Sequence, residues 1–180
     1  MDPVLVGFFP QKTRLRQGQG AIGVEEICCL RGCGTQGPQG WFGHWKHNDL
    51  FLFNSPASAW NVVEDSQKKQ YDLLAYKLFP LSIFGGEALP VEIPALSVEP
   101  LNGGFEKLGY SVESRSERNE SKCSPQVNDA KLGKCRVNRY CLMDEAKTAL
   151  DYALSLKRKG CEPGPYCVME VWRQKRSPRG

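Results

Sequence analysis

Apolar and polar residues alternate along several short stretches of the chain, which is typical of β-strands. The clearest stretches are residues 4–9, 71–84 and 166–172. In the last of these, one face is wholly apolar and the other carries Glu170 among apolar neighbours. We therefore expect residues 166–172 to form a central or near-central strand, with Glu170 paired to a lysine or an arginine.

A helical spacing of apolar residues begins after Asp144. It predicts a principal helix over about residues 144–159, with the Asp144 carboxylate as its N-cap. Gly160 follows the last turn and favours termination there. Residues 137–142 precede the helix and predict a short strand. A strand, helix and strand of this length could form a parallel crossover.

A second helix is predicted near the middle of the chain. Asn54 or Ser55 is a suitable N-cap for a short helix over residues 57–63. Pro56 stands at an early position, where its missing N–H does no harm.

Turns and loops account for much of the remainder. The glycine pair at 85–86 predicts a β-hairpin. Residues 105–108 predict one helical turn, and Gly109 then opens a strand. Residues 116–134 are strongly polar without an apolar period, which predicts a mobile surface loop. The sequence shows no internal repeat.

These elements predict one α+β domain over residues 1–172, followed by a basic tail at 173–180. Its sheet is expected to be mixed or mainly antiparallel, with one principal C-terminal helix and short helical segments. The length of 180 residues, the hydrophobic content of 41% and the charged content of 24% fit one globular domain.

The composition also bears on the cellular compartment. The chain has no apolar run of about 18 residues and no signal-peptide pattern at its start, so we expect a cytoplasmic protein without a membrane partner. In that compartment the eight cysteines are expected to be thiols or metal ligands rather than disulfides.

Three of the cysteines and both histidines lie in one segment. Thiolate and imidazole bind zinc, and four such ligands close a structural site. The candidate ligands are Cys28, Cys29, Cys33, His44 and His47. Their spacings are looser than those of zinc fingers, so buried thiols and hydrogen-bonded histidines are the plainer alternative. Cys33 beside a histidine could instead act as a nucleophile.

Aromatic residues are dense in the same region. Part-exposed aromatic side chains supply much of the binding energy at protein interfaces. We therefore expect a partner surface formed by Trp41, Trp45, Phe51 and Phe53.

The net charge is +4, and positive charge is concentrated in the second half. A candidate basic patch consists of Lys157, Arg158, Lys159, Arg173, Lys175 and Arg176. Such clusters attract nucleic-acid phosphates. The alternative is a helix end that neutralises its dipole, followed by a disordered tail.

The chain resembles a group of bacterial proteins of unknown activity. The resemblance rests on residues 7–14 (GFFPQKTR), 24–28 (VEEIC), 41–48, 108–116 (LGYSVESRS), 137–142 (VNRYCL) and 162–173. It spans most of the chain and implies a bacterial origin, but no mechanism.

Together these features favour a non-catalytic cytosolic binding or interaction module with a protein partner, and zinc as the candidate cofactor. The alternative is a cysteine- or zinc-dependent enzyme that uses residues 28–47. A nucleic-acid-binding accessory protein is a second alternative.

Overall fold

The computed structural model describes residues 1–12, 48, 50, 52–115, 124–156 and 164–175. Its elements are β1 (Val4–Lys12), α1 (Pro56–Trp60), a 3-10 helix (Lys68–Gln70), β2 (Tyr71–Leu78), β3 (Leu81–Phe84), β4 (Glu87–Pro90), β5 (Phe105–Ser114), α2 (Pro125–Lys131), α3 (Ala146–Ser155) and β6 (Tyr166–Gln174).

The strands form one six-stranded sheet in the order β1-β2-β6-β3-β4, with β5 on β6 as well. Every strand pair in it is antiparallel. The protein therefore has the expected α+β fold with a mainly antiparallel sheet. The prediction of a parallel crossover was wrong. The last strand before α3 is β5, and it pairs antiparallel with β6.

Strand β6 is central, as expected. It pairs with β5 along its whole length, and β2 and β3 pair with it in turn. Its residues from Tyr166 to Val171 are all buried. Because neighbours cover it on both edges and both faces, its near-continuous apolar sequence is what a central strand requires.

The predicted helical turn at residues 105–108 was wrong, because these residues begin β5 and pair with β6. Gly109 does not open that strand but lies within it, where the register shifts between Lys107 and Gly109. A strand bulge interrupts the alternation of the sequence, so local periodicity could not identify it.

Residues 137–142 form a turn and not a strand. Asp144 does not cap α3, whose N-cap residue is Glu145. The Asp144 carboxylate instead accepts a hydrogen bond from the Asn138 amide at 3.0 Å. The helix ends at Ser155, and residues 157–163 lie outside the described part.

Part of the expected mobile loop at 116–134 is a helix. In α2, Gln126 and Val127 are buried. The Gln126 side chain accepts a hydrogen bond from the Val112 N–H, and the Ser124 hydroxyl donates to the Val112 carbonyl. Two side chains thus provide partners for the Val112 N–H and carbonyl on the outer edge of β5, which explains why a polar sequence is ordered here. Residues 116–123 are outside the described part.

The other short elements agree with the sequence. Ser55 caps α1, its hydroxyl accepting from the Ser58 N–H, and Pro56 begins the helix. The helix is shorter than expected and ends at Trp60. Strands β3 and β4 form the expected hairpin around Gly85 and Gly86, both of which have positive φ.

The sheet contains an internal repeat that the sequence did not show. Strands β1 and β5 each bend at a glycine, Gly7 or Gly109, with φ of 144° and 143°. Each glycine packs so closely on a neighbouring segment that a Cβ would lie 2.7 Å from Leu52 Cβ or 2.6 Å from the Met143 carbonyl oxygen. One strand bulge and one close approach therefore occur in the same place in both halves.

An asparagine closes the turn beside each bulge. The Asn48 amide donates to the Val6 carbonyl, and its side-chain oxygen accepts from the Leu50 and Leu52 N–H groups. Asn138 repeats this arrangement with one carbonyl and two N–H groups. Its partners are Leu108, Tyr140 and Leu142. In both halves a short helix follows at the same spacing, α1 or α3, and buries an alanine at the equivalent position, Ala59 or Ala149. Helix α3 also buries Ala153.

The strands that close the two halves, β2 and β6, pair with each other about a pseudo-twofold axis. Their register places Tyr76 opposite Val171, and these two residues are equivalent because they face Gly7 and Gly109 respectively. Hence the described residues contain two copies of a strand, an asparagine turn, a helix and a strand. The β3–β4 hairpin lies between the copies.

Candidate binding site at the centre of the sheet

Five polar or aromatic side chains meet beside the pseudo-twofold axis, and we call them the axial cluster. They are Lys77, Lys107, Tyr110, Glu170 and Trp172. Register places them on one face, since Glu170 is opposite both Lys77 and Tyr110, and Trp172 is opposite Lys107. Alternation along β6 assigns this face to the side on which α3 packs against Val168.

The Glu170 carboxylate is the centre of the cluster. It is 7% exposed. One oxygen accepts from the Trp172 indole N–H at 2.9 Å, and the other from the Tyr110 hydroxyl at 3.4 Å. Burying a charge is costly unless it is paired and hydrogen-bonded, and Glu170 has both kinds of partner. The expectation that Glu170 pairs with a lysine is confirmed.

Two lysines flank this carboxylate. Lys77 Nζ lies 3.9 Å and Lys107 Nζ 3.6 Å from the Glu170 oxygens. Each ammonium also lies over an aromatic ring, Lys77 over Trp172 at 4.9 Å and Lys107 over Tyr110 at 5.3 Å. Cation–π contacts of this kind hold the ammonium groups in place. The two side chains stay 28% and 44% exposed, so the cations are fixed but accessible.

The surroundings favour the charged form of Lys107. Its hydrogen bond to the Tyr110 hydroxyl, 3.2 Å long, is the main cause that raises the pKa of Lys107 above the ordinary 10.5. Partial burial acts in the opposite direction, and the charge of Glu170 adds to the rise. Lys107 is therefore a cation throughout the physiological range.

This raised pKa predicts a pH dependence of stability. Because the folded state binds the Lys107 proton more tightly than the unfolded state, the contribution is complete below pH 10.5 and is lost as pH rises through the folded-state pKa. We expect the difference in unfolding free energy between wild type and Lys107→Met to be constant up to about pH 9.5 and to shrink above about pH 10.5. Urea unfolding across this range measures it, and a difference that is flat up to about pH 12 would contradict the assignment.

The other half of the sheet has apolar residues at three equivalent positions. By register, Ala75 corresponds to Glu170, Phe8 to Tyr110 and Leu5 to Lys107. The two halves form the same bulge, asparagine turn and strand pair with or without the polar residues. Lys107, Tyr110 and Glu170 are thus additions to the repeated fold, and Lys77 lies in the other half at the position equivalent to Trp172.

The predicted zinc ligands Cys28, Cys29, Cys33, His44 and His47 all lie outside the described residues. In the part of the chain that is described, no three His, Cys, Asp or Glu side chains group as metal ligands. The zinc site stays a prediction, for which we expect one zinc ion per purified chain and a lower melting temperature after chelation. Purified protein without zinc, and insensitive to a chelator, would reject it.

The predicted aromatic partner surface is wrong at Phe53. This residue is fully buried, and its backbone pairs with Phe8, which makes it part of the core. Trp41, Trp45 and Phe51 are outside the described residues. The pairing of the Phe53 backbone with Phe8 depends on a contact distant in the chain, which composition alone does not reveal.

Two members of the predicted basic patch are described. Arg173 donates to the Glu106 carboxylate at 2.7 Å and to the Tyr140 hydroxyl at 3.1 Å, so its guanidinium is held against β5 and the Asn138 turn. Lys175 is exposed at the end of β6. Lys157, Arg158, Lys159 and Arg176 lie outside the described residues, and the patch as a whole stays a prediction.

Sequence reasoning identified Glu170 but missed the other members of the axial cluster. Lys77 and Lys107 lie in strands far apart in the chain, and only the antiparallel register brings both to Glu170. The available signal was the lysine at position 77 within an otherwise apolar run, since a charge there needs a partner or an exposed face.

Within the described residues, no helix is long and apolar enough to span a membrane. Comparison of the chain with protein-family models, with curated proteins and with solved structures gave no match.

Proposed function

We infer that this protein is a non-catalytic binding module of the cytoplasm, and that it contacts a protein partner at the axial cluster. The observation that carries the proposal is the difference between the two halves of the sheet. Leu5, Phe8 and Ala75 complete one half, whereas Lys107 and Glu170 occupy two of the equivalent positions in the other. Glu170 is buried but Lys107 is accessible, and an accessible charged group that the repeated fold does not need is typical of a recognition surface.

The cluster has the properties of an interface centre. Trp172 and Tyr110 provide a rigid aromatic base, a residue class that dominates binding energy at interfaces. Lys77 and Lys107 are held over these rings with part of each side chain exposed. Prior fixation of the contact groups lowers the entropy lost on binding.

Comparative affinity capture tests the proposal. The wild type, Lys77→Met/Lys107→Met and Lys131→Met/Lys147→Met are used as baits in cell extract. The control pair removes the same charge from α2 and α3, where both lysines are exposed. We expect a protein that is captured by the wild type and the control, and at least tenfold less by the cluster variant. Equal capture by all three baits, with the cluster variant folded, would contradict the proposed site.

A further inference from the structure

The lysines of the axial cluster have donors that Glu170 does not use. Their distances to the carboxylate, 3.6 and 3.9 Å, are those of ion pairs and are too long for hydrogen bonds. The short hydrogen bond to Glu170 comes from Trp172 at 2.9 Å. An ammonium group has three N–H donors, and Lys107 places one on Tyr110. The accessible ends of both lysines can therefore donate to an incoming acceptor.

The charges of the cluster do not balance. Two ammonium groups surround one carboxylate, which leaves the site with one excess positive charge. Glu170 is already stabilised by the indole N–H and the tyrosine hydroxyl. One added monoanion would neutralise the site, whereas a phosphate dianion would leave it negative in a partly buried environment, where unpaired charge is costly.

We propose that the axial cluster receives the carboxylate of an acidic side chain of the partner protein, bound between Lys77 and Lys107. This inference rests on the proposed function and specifies the chemistry of the partner. Alternation places Arg173 on the opposite face of β6, where it is bound to Glu106, so it adds no charge to the cluster. The single excess charge of the cluster suits one carboxylate better than a run of phosphates.

Titration of the full-length protein with defined probes tests the ligand class. The readout is the Trp172 indole N–H signal in ¹H–¹⁵N spectra, because that N–H is bonded to Glu170 and lies beneath Lys77. The probes are a hexaglutamate peptide, a hexaglutamine peptide, inorganic phosphate and a single-stranded oligonucleotide. We expect a saturable shift with hexaglutamate and none with hexaglutamine.

The variants separate the site from general charge. Binding of hexaglutamate should weaken at least tenfold in Lys77→Met/Lys107→Met and less than twofold in Lys131→Met/Lys147→Met. If the double variant loses its folded spectrum, each single variant is used and should show a weaker shift than the wild type. No shift with hexaglutamate, an equal shift in both double variants, or a shift with phosphate or oligonucleotide alone would each overturn the inference. If partner capture still depended on the two lysines, the proposed function would stand without it.

Discussion

Gly109→Ala should be among the most destabilising substitutions in the described part of the chain. At φ of 143° an L-residue is strained, and the new Cβ would lie 2.6 Å from the Met143 carbonyl and 2.9 Å from Leu142 Cβ. The Met143 backbone accepts a hydrogen bond from the Tyr110 N–H and donates one to the Tyr110 carbonyl, so it cannot move away easily. We expect a loss of about 3 kcal/mol or more of unfolding free energy, measured by urea unfolding.

Gly7→Ala should behave alike, since its Cβ would meet Leu52 Cβ at 2.7 Å with φ of 144°. Gly103→Ala is the matched control because nothing lies within 4 Å of its added Cβ. That substitution should change stability by less than about 1 kcal/mol. Similarly small changes in unfolding free energy at all three glycines would mean that the two halves do not depend on the glycine bulges.

Asn138→Ala should have the second largest effect. The substitution removes a donor to the Leu108 carbonyl and an acceptor for the Tyr140 and Leu142 N–H groups. Leu142 is fully buried, so its N–H would lose a partner where water does not easily replace it. We expect a loss of about 2–4 kcal/mol, and a comparable loss for Asn48→Ala. Asn102→Ala is the control, because its side chain bonds one exposed N–H, and it should cost less than about 1 kcal/mol.

The aspartate substitutions distinguish the two turns. The Asn138 amide donates to the Asp144 carboxylate, whereas the Asn48 amide donates to the neutral Asn54 side chain. Asn138→Asp therefore sets two carboxylates against each other, and we expect it to be less stable than Asn48→Asp at neutral pH. Protonation of the introduced carboxylate below about pH 4 should reduce the difference in unfolding free energy between the two variants. A difference that is the same at pH 3.5 and pH 7 would contradict the contact.

Much of the sheet could be predicted from the sequence because burial imposes its period on local residues. Strand β6 was recognisable from one wholly apolar face and a second face interrupted by Glu170, and α1 from Ser55 and Pro56. The wrong predictions share a physical cause. At residues 105–108 and at Gly109 the backbone conformation is set by pairing with β6, which is distant in the chain. Around Asn138 a side chain bonds the backbone in place of a regular ladder.

The repeat was hidden for a related reason. The residues common to both halves are one glycine and one asparagine, and the stretches of sequence between them differ in length. Most equivalent positions need only an apolar residue or an exposed one, so different residues meet the requirement. The candidate site could be predicted only at Glu170, because its partners depend on the register of three strands.

We expect the sheet to fold without the polar residues of the axial cluster. Urea unfolding of Lys107→Leu/Tyr110→Phe/Glu170→Ala, which installs the residue types of the other half, measures this. We expect one cooperative transition within about 2 kcal/mol of the wild type, because an apolar set can replace a buried ion pair. The triple variant should also be more stable than Glu170→Ala alone, which leaves Lys77 and Lys107 without their common carboxylate. Loss of cooperative unfolding, or a decrease of more than about 4 kcal/mol, would instead make the cluster part of the structural core.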